Sequence, residues 1–120
     1  MSLRRVKTYS AQTGYVYEYY FVGKRKALDD DALAHSTEFI FDVSHDRKTV
    51  YAVSVFLLTH ALDTFAAESG RALSEPEQYA AAKLRLQLAF DETANMVQDG
   101  RRLVLDSELL ASLLQSVGID

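Results

Sequence analysis

The chain has 120 residues, of which 48% are hydrophobic and 25% charged, a composition that favours one globular domain over residues 1–120 and is far from that of a disordered chain. It contains no cysteine, which excludes disulfides, thiolate nucleophiles and cysteine-ligated metal sites. The net charge of −4 is unevenly distributed: residues 1–26 carry +5, whereas residues 27–73 carry −5 and residues 74–120 carry −4.

No segment of the sequence predicts membrane insertion or secretion. Residues 49–62 form the longest uncharged run, but Ser54, Thr59 and His60 interrupt it and it is too short to span a bilayer. The first residues lack the apolar stretch of a secretory signal. We therefore expect a cytoplasmic protein with no membrane partner.

The beginning of the chain is dominated by an aromatic segment between basic residues. Residues 4–9 are a possible first strand, followed by a turn at residues 11–14. Residues 15–22 contain five of the chain's 13 aromatic residues, and aromatic and β-branched side chains favour a strand. Strand alternation places four of the aromatic side chains on one face: Tyr15, Tyr17, Tyr19 and Phe21.

Alternation around a polar turn predicts a β-hairpin next. Residues 23–36 combine opposed charge blocks with little apolar content, which indicates a loop. Aromatic and aliphatic side chains then alternate with acidic ones in residues 37–43, with Glu38 on the polar face. Turn-forming residues at 44–48 connect this strand to a returning strand at 49–53.

Ser54 is predicted to cap a helix that continues to about Ser69, with Gly70 as its stop signal. The apolar side of this helix is expected to lie on the sheet. Phe56 falls among the polar residues of the helix, where a monomer would leave it partly exposed.

A second helix is predicted from the Ser-Glu-Pro-Glu sequence at residues 74–77, which is a capping box with proline in the first turn. The helix is expected to reach about Gln98, with Gly100 as its stop signal. A second apolar stripe lies almost opposite the main one: Ala81, Leu84 and Leu88. A helix with two apolar sides needs two neighbours, so it is either sandwiched or at a subunit contact.

Residues 101–106 are a candidate strand, after which Asp106 or Ser107 can cap a last helix that ends near Val117. Strands, two helices, a strand and a helix therefore follow one another. This order predicts an α+β fold, with a mainly antiparallel sheet of about four to five strands and about three helices packed on one face.

Residues 37–120 resemble small bacterial domains of unknown function that are built as a hairpin followed by helices. The residues that carry the resemblance are residues 39–43, the Val53-Ser54 entry to a helix with Leu57 and Leu58, and Tyr79, Leu86 and Phe90. The resemblance implies one compact α+β domain, and it implies no activity.

The candidate catalytic and metal-binding groups are isolated in sequence. His60 has Asp63 and Thr64 at helical spacing, but these are too few ligands for a closed metal site. His45 and His35 lie in a turn and a loop with no matching nucleophile signature. The consecutive aspartates at residues 29–31 indicate a solvated loop rather than a cation site. We expect no cofactor and no metal, and an enzymatic function is not favoured.

The aromatic strand has three interpretations: part of the core, part of a subunit contact, or a platform for nucleic-acid bases. The subunit contact is predicted to involve Tyr15, Tyr17, Tyr19, Tyr20, Phe56, Ala81, Leu84 and Leu88. The nucleic-acid interpretation assigns the phosphate contacts to Arg4, Arg5, Lys7, Lys24, Arg25 and Lys26. We predict a non-enzymatic homodimeric interaction domain, with single-stranded nucleic-acid binding by residues 4–26 as the alternative.

Overall fold

The computed structural model of the protein describes residues 5–27, 33 and 35–119, and it has the α+β architecture that the sequence predicts. Nine elements follow one another in the described residues: β1 (Lys7–Ser10), β2 (Val16–Lys26), β3 (Ser36–Ser44), β4 (Tyr51–Leu58), α1 (Thr59–Ser69), α2 (Glu75–Glu92), α3 (Met96–Asp99), β5 (Arg102–Leu105) and α4 (Ser107–Ser116). The predicted first strand began at Arg4, which lies outside the described residues.

The five strands form one sheet in the order β1-β2-β3-β4-β5. The first three pairs of neighbours are antiparallel, whereas β4 and β5 are parallel. A parallel pair needs a long crossover connection, and the segment that contains α1, α2 and α3 supplies it.

One hydrophobic core lies between the helices and one face of the sheet. The sheet contributes Tyr17, Tyr19, Phe39, Phe41, Val43, Tyr51, Val53, Val55, Leu57, Leu103 and Leu105 to this core. The helices contribute Ala61, Ala81, Ala82, Leu86, Ala89, Phe90, Met96, Leu110 and Leu114. We call this the helix side of the sheet, and the opposite face the outer side.

The predicted start of the first helix at Ser54 is wrong. Ser54 lies inside β4, and the helix begins at Thr59. The reason is that β4 is paired on both edges, with β3 and with β5, so that Val55 and Phe56 are both buried although they point to opposite faces. A strand buried on both faces has a nearly continuous apolar sequence, which periodicity alone does not distinguish from a helix.

The predicted loop at residues 23–36 is also wrong in its first part. β2 continues to Lys26, where it pairs with Thr37 of β3. The basic block is compatible with this strand because Arg25 faces Glu38 across the pair, and opposite charges in that position stabilise a sheet.

The capping box of α2 is present: the Ser74 hydroxyl accepts a hydrogen bond from the Glu77 amide, and the Glu77 carboxylate accepts one from the Ser74 amide. α2 ends at Glu92, earlier than predicted. The chain then starts a new short helix at Met96, because the Asn95 side chain accepts a hydrogen bond from the Gln98 amide and caps it.

Candidate functional site

Two tyrosines of β2 lie in the hydrophobic core. Tyr17 and Tyr19 are buried on the helix side of the sheet. The Tyr17 ring stacks on the Phe90 ring with centroids 4.0 Å apart, and the Gln87 amide donates a 2.8 Å hydrogen bond to the Tyr19 hydroxyl. These two residues of the predicted subunit contact therefore pack in the chain's own core.

Phe56 and Ala81 are buried as well. Phe56 is 1% exposed, and the Arg102 guanidinium lies 4.8 Å from its ring centroid on the outer side of the sheet. The expectation that a monomer leaves Phe56 partly exposed is wrong, because it depended on placing this residue in a helix. Of the second stripe of α2, Ala81 is fully buried, whereas Leu84 and Leu88 are half-buried and reach the surface.

The edge of β2 that faces away from β3 is only partly covered by another strand. β1 pairs with the first four residues of β2, from Tyr19 opposite Lys7 to Val16 opposite Ser10. Within the described part of the chain, no strand pairs with this edge along residues 21–26. We call residues 21–26 the edge segment. Backbone amides and carbonyls along such an edge are a template for another strand.

The edge segment is apolar at one end and carries a β-bulge. Phe21 is 38% exposed and Val22 is 51% exposed, while the other end carries basic residues. Phe21 pairs with Phe41 of β3 and Gly23 pairs with Ile40, so that Val22 is the extra residue of the bulge. The bulge sets which side chains of the edge segment point to the helix side.

A groove of about 380 Å³ lies beside the edge segment on the helix side, and it is lined by Phe21, Lys24, Phe39, Glu75, Pro76 and Tyr79. The Phe21 and Tyr79 rings meet edge to face with centroids 5.0 Å apart. Lys24 lies at the border of the groove, where its ammonium is 3.2 Å from the Glu75 carboxylate and 5.8 Å from the Phe39 ring centroid. The groove is therefore aromatic inside and charged at its border.

A buried carboxylate lies on the outer side of the sheet. Glu38 accepts hydrogen bonds of 2.9 Å from Arg25 Nε and 2.6 Å from the Ser54 hydroxyl. Burial alone raises the pKa of Glu38, but these hydrogen bonds and the charges of Arg25 and Arg102 outweigh it and hold the pKa below its ordinary value. The sequence did not reveal this cluster because its members come from four strands. The signal that could have revealed it was the basic block of residues 24–26, which is opposite Glu38 once the hairpin is extended.

The structure places two of the candidate histidines in different surroundings. His45 packs against the Tyr15 ring, with centroids 4.9 Å apart, and His60 is exposed in the first turn of α1. No cluster of three or more histidine, aspartate or glutamate side chains suited to a metal ion occurs among the described residues. The aspartates at 29–31 lie outside those residues.

The basic residues of the nucleic-acid hypothesis have mixed environments. Lys24 and Arg25 form ion pairs with Glu75 and Glu38, and Arg4 lies outside the described residues. The others, Arg5, Lys7 and Lys26, are exposed.

None of the helices in the described residues has the length and apolar character needed to cross a membrane. Comparisons with protein-family models, with curated proteins and with solved structures find no match.

Proposed function

We propose that the protein is a self-associating interaction domain in which two copies form a homodimer by pairing their edge segments. The supporting observation is that residues 21–26 extend the ladder with β3 but have no strand on their other edge among the described residues. Strand addition at such an edge supplies main-chain hydrogen bonds, and neighbouring grooves supply specificity through alternate side chains. Phe21 and Val22 provide apolar area that the contact would remove from water.

A second copy of the chain suits this edge because the segment is complementary to itself. Its first residues are aromatic or apolar, and its last three are the cations of residues 24–26. Two such segments that run antiparallel place the cations of one copy beside the aromatic rings of the other. A cation over an aromatic ring at an exposed site contributes about 0.5–1 kcal/mol.

A competing interpretation is that the edge is protected against pairing. Natural sheets often use lysines and β-bulges for that purpose, and the edge segment has both. This interpretation predicts a monomer, so the oligomeric state in solution separates the two.

The test is sedimentation equilibrium of the wild type and of Val22→Lys at micromolar concentrations. We expect a wild-type dimer, and we expect Val22→Lys to raise its dissociation constant about tenfold or more, because the new cation lies next to those of the second copy. Val117→Lys is the matched control, since Val117 is 50% exposed beyond the end of α4. A wild type that stays monomeric, or a control that dissociates as readily, contradicts the proposal.

Leu84→Glu and Leu88→Glu distinguish the edge segment from the surface of α2. Both leucines are half-buried on α2, away from the edge segment in sequence. If the edge segment is the contact, these variants keep the wild-type dissociation constant as long as their circular dichroism spectra are unchanged. Dissociation of the dimer by either folded variant places the contact on α2 instead.

Single-stranded nucleic-acid binding stays the alternative prediction. Tyr17 and Tyr19 are buried and cannot stack on bases in this conformation, which leaves Tyr15 as an exposed ring. A filter-binding titration at several salt concentrations tests it, because phosphate contacts make the affinity fall with ionic strength. Salt-dependent binding that persists in Val22→Lys would favour this alternative over the dimer.

A further inference from the structure

We infer that the two copies pair in one register, in which Gly23 faces Gly23 of the second copy on a two-fold axis and the two aromatic grooves join. This inference rests on the proposed function, and it specifies which residues of the second copy complete the site. It follows from the faces of β2, from the bulge at Val22 and from the charges of the edge segment.

The faces of the edge segment are set by its pairing with β3. Phe21 and Lys24 are opposite Phe41 and Phe39, which are buried in the core, so Phe21 and Lys24 lie on the helix side. Arg25 is opposite Glu38 and lies on the outer side, as does Tyr20. Because Val22 is the extra residue of the bulge, the remaining positions are symmetric about Gly23. Their order is Tyr20, Phe21, Gly23, Lys24 and Arg25.

A two-fold axis perpendicular to the sheet at Gly23 therefore keeps the faces of the two copies matched. It sets Phe21 opposite Lys24 of the second copy on the helix side, and Tyr20 opposite Arg25 of the second copy on the outer side. Moving the axis to Lys24 sets two lysines opposite each other, which is destabilising. Moving the axis to Phe21 sets all three cations of the second copy opposite residues 17–19, which already pair with β1. The Gly23 axis sets only Lys26 opposite such a residue, Tyr19, so the contact in this register ends at Arg25.

The same register joins the grooves of the two copies. Phe21 of one copy is then the diagonal neighbour of Phe21 of the other, and diagonal neighbours across an antiparallel pair are about 7–8 Å apart, within reach of aromatic side chains. Phe21 already contacts Tyr79 and Phe39. The two rings therefore extend each groove across the axis, and the aliphatic part of each Lys24 covers them.

The absence of cysteine from the chain makes this register directly testable. Residues opposite each other in an antiparallel pair have Cα atoms about 4.5–5.5 Å apart, which falls within the range that a disulfide spans. A Cβ atom at Gly23 has no heavy atom within 4 Å, so Gly23→Cys fits the fold. We expect Gly23→Cys to form a covalent dimer under mild oxidation, seen by non-reducing electrophoresis and reversed by dithiothreitol.

Two controls use single cysteines elsewhere. Lys26→Cys lies on the same edge but opposite the part of the second copy that β1 covers, and Val117→Cys is exposed beyond the end of α4. Both should stay monomeric on the gel. A wild-type dimer in which Lys26→Cys crosslinks and Gly23→Cys does not overturns the register but leaves the proposed function intact. A monomeric wild type overturns both.

A second variant keeps the inference testable if Gly23→Cys disturbs association. Phe21→Ala removes the ring that joins the grooves, and we expect it to raise the dissociation constant about tenfold or more, whereas Phe21→Tyr keeps it within about threefold. Circular dichroism confirms that each variant is folded. A folded Phe21→Ala with the wild-type dissociation constant overturns the joined groove.

Discussion

Glu38 is a carboxylate that the sheet holds in place with hydrogen bonds from neighbouring strands. An ionised carboxylate is costly to bury unless hydrogen bonds and opposite charges replace its water. Arg25 of β2 and Ser54 of β4 donate to separate oxygens of Glu38, so both oxygens are satisfied. The cluster thereby connects three adjacent strands through side chains, in addition to the backbone ladder.

Ser54→Ala should destabilise the protein without changing its fold. The substitution removes the 2.6 Å hydrogen bond to a buried charge, and we expect the free energy of unfolding to fall by about 2 kcal/mol. Urea denaturation followed by circular dichroism measures the change. Ser10→Ala is the control on exposed β1, where a change within about 0.5 kcal/mol is expected. Equal stabilities of the two variants contradict the role of Ser54.

The sequence predicted the face of Glu38 but not its burial. Alternation along β3 places Glu38 away from the core, and the structure agrees. Its partners could not be predicted, because Arg25 was assigned to a loop and Ser54 to a helix cap. The exposure of Tyr17 and Tyr19 was overestimated for a similar reason. The alternation places both on one face but does not show that a helix covers that face.

At the scale of secondary structure, side chains close in sequence specify the beginning of α2. Ser74 and Glu77 satisfy each other's backbone amides, and Arg71 donates two 2.9 Å hydrogen bonds to the Glu77 carboxylate. The Arg71 and Ser74 hydrogen bonds lower the pKa of Glu77 to about 2. Pro76 lies in the first turn, where its missing N–H costs no helical hydrogen bond.

Ser74→Ala should lower the free energy of unfolding by about 1 kcal/mol, because it removes the hydroxyl that accepts from the Glu77 amide. Ser74→Asp should retain most of the stability, since aspartate is also a favourable cap. Ser112→Ala on the exposed surface of α4 is the control. The prediction is contradicted if thermal or urea unfolding gives Ser74→Ala the same stability as the wild type.

The elements that the sequence predicted well are those specified by residues close in the chain. The capping box at Ser74 and the cap at Asp106 each depend on residues three positions apart, and both are present. The end of β4 was missed because it depends on β5, which is more than 40 residues further along the chain and pairs with Ser54. The edge segment, which has no second partner strand among the described residues, was missed because residues 23–26 were assigned to a loop rather than to β2.

At the scale of the whole molecule, stability should decline towards both extremes of pH. Hydrogen bonds from the backbone amides of Thr49 and Lys48 lower the pKa of Asp46 to about 2, as those from Arg71 and Ser74 do for Glu77. Groups with a lowered pKa in the folded state stabilise it above their unfolded pKa and lose this effect as the pH falls through the folded value. Stability contributed by these carboxylates is therefore lost between about pH 4.5 and pH 2.

The loss of stability at alkaline pH comes from groups whose pKa is raised in the folded state. Burial raises the pKa of Tyr51 from 10.0 to about 12, and the hydrogen bond to Asp91 does the same for Tyr9. The folded state keeps these phenolic protons above pH 10, where the unfolded state loses them, so the folded state loses stability relative to the unfolded state as the pH rises from 10 towards 12.

Tyr51→Phe should therefore reduce the alkaline loss of stability. The Tyr51 hydroxyl is buried and has no hydrogen-bond partner among the described residues, so its removal should also raise the free energy of unfolding at neutral pH by about 1 kcal/mol. Urea unfolding between neutral pH and pH 11 measures both effects, with Tyr15→Phe as the exposed control. A Tyr51→Phe variant less stable than the wild type at neutral pH contradicts this account.

The parallel pairing of β4 with β5 has a consequence for biosynthesis. Residues 51–58 are rich in β-branched and aromatic side chains and carry no charge, the composition of an aggregation-prone segment. During translation this strand leaves the ribosome well before residues 102–105, which cover one of its edges in the finished sheet. The nascent chain thus exposes this apolar strand while the crossover helices are being made, an interval in which a chaperone would protect it from aggregation.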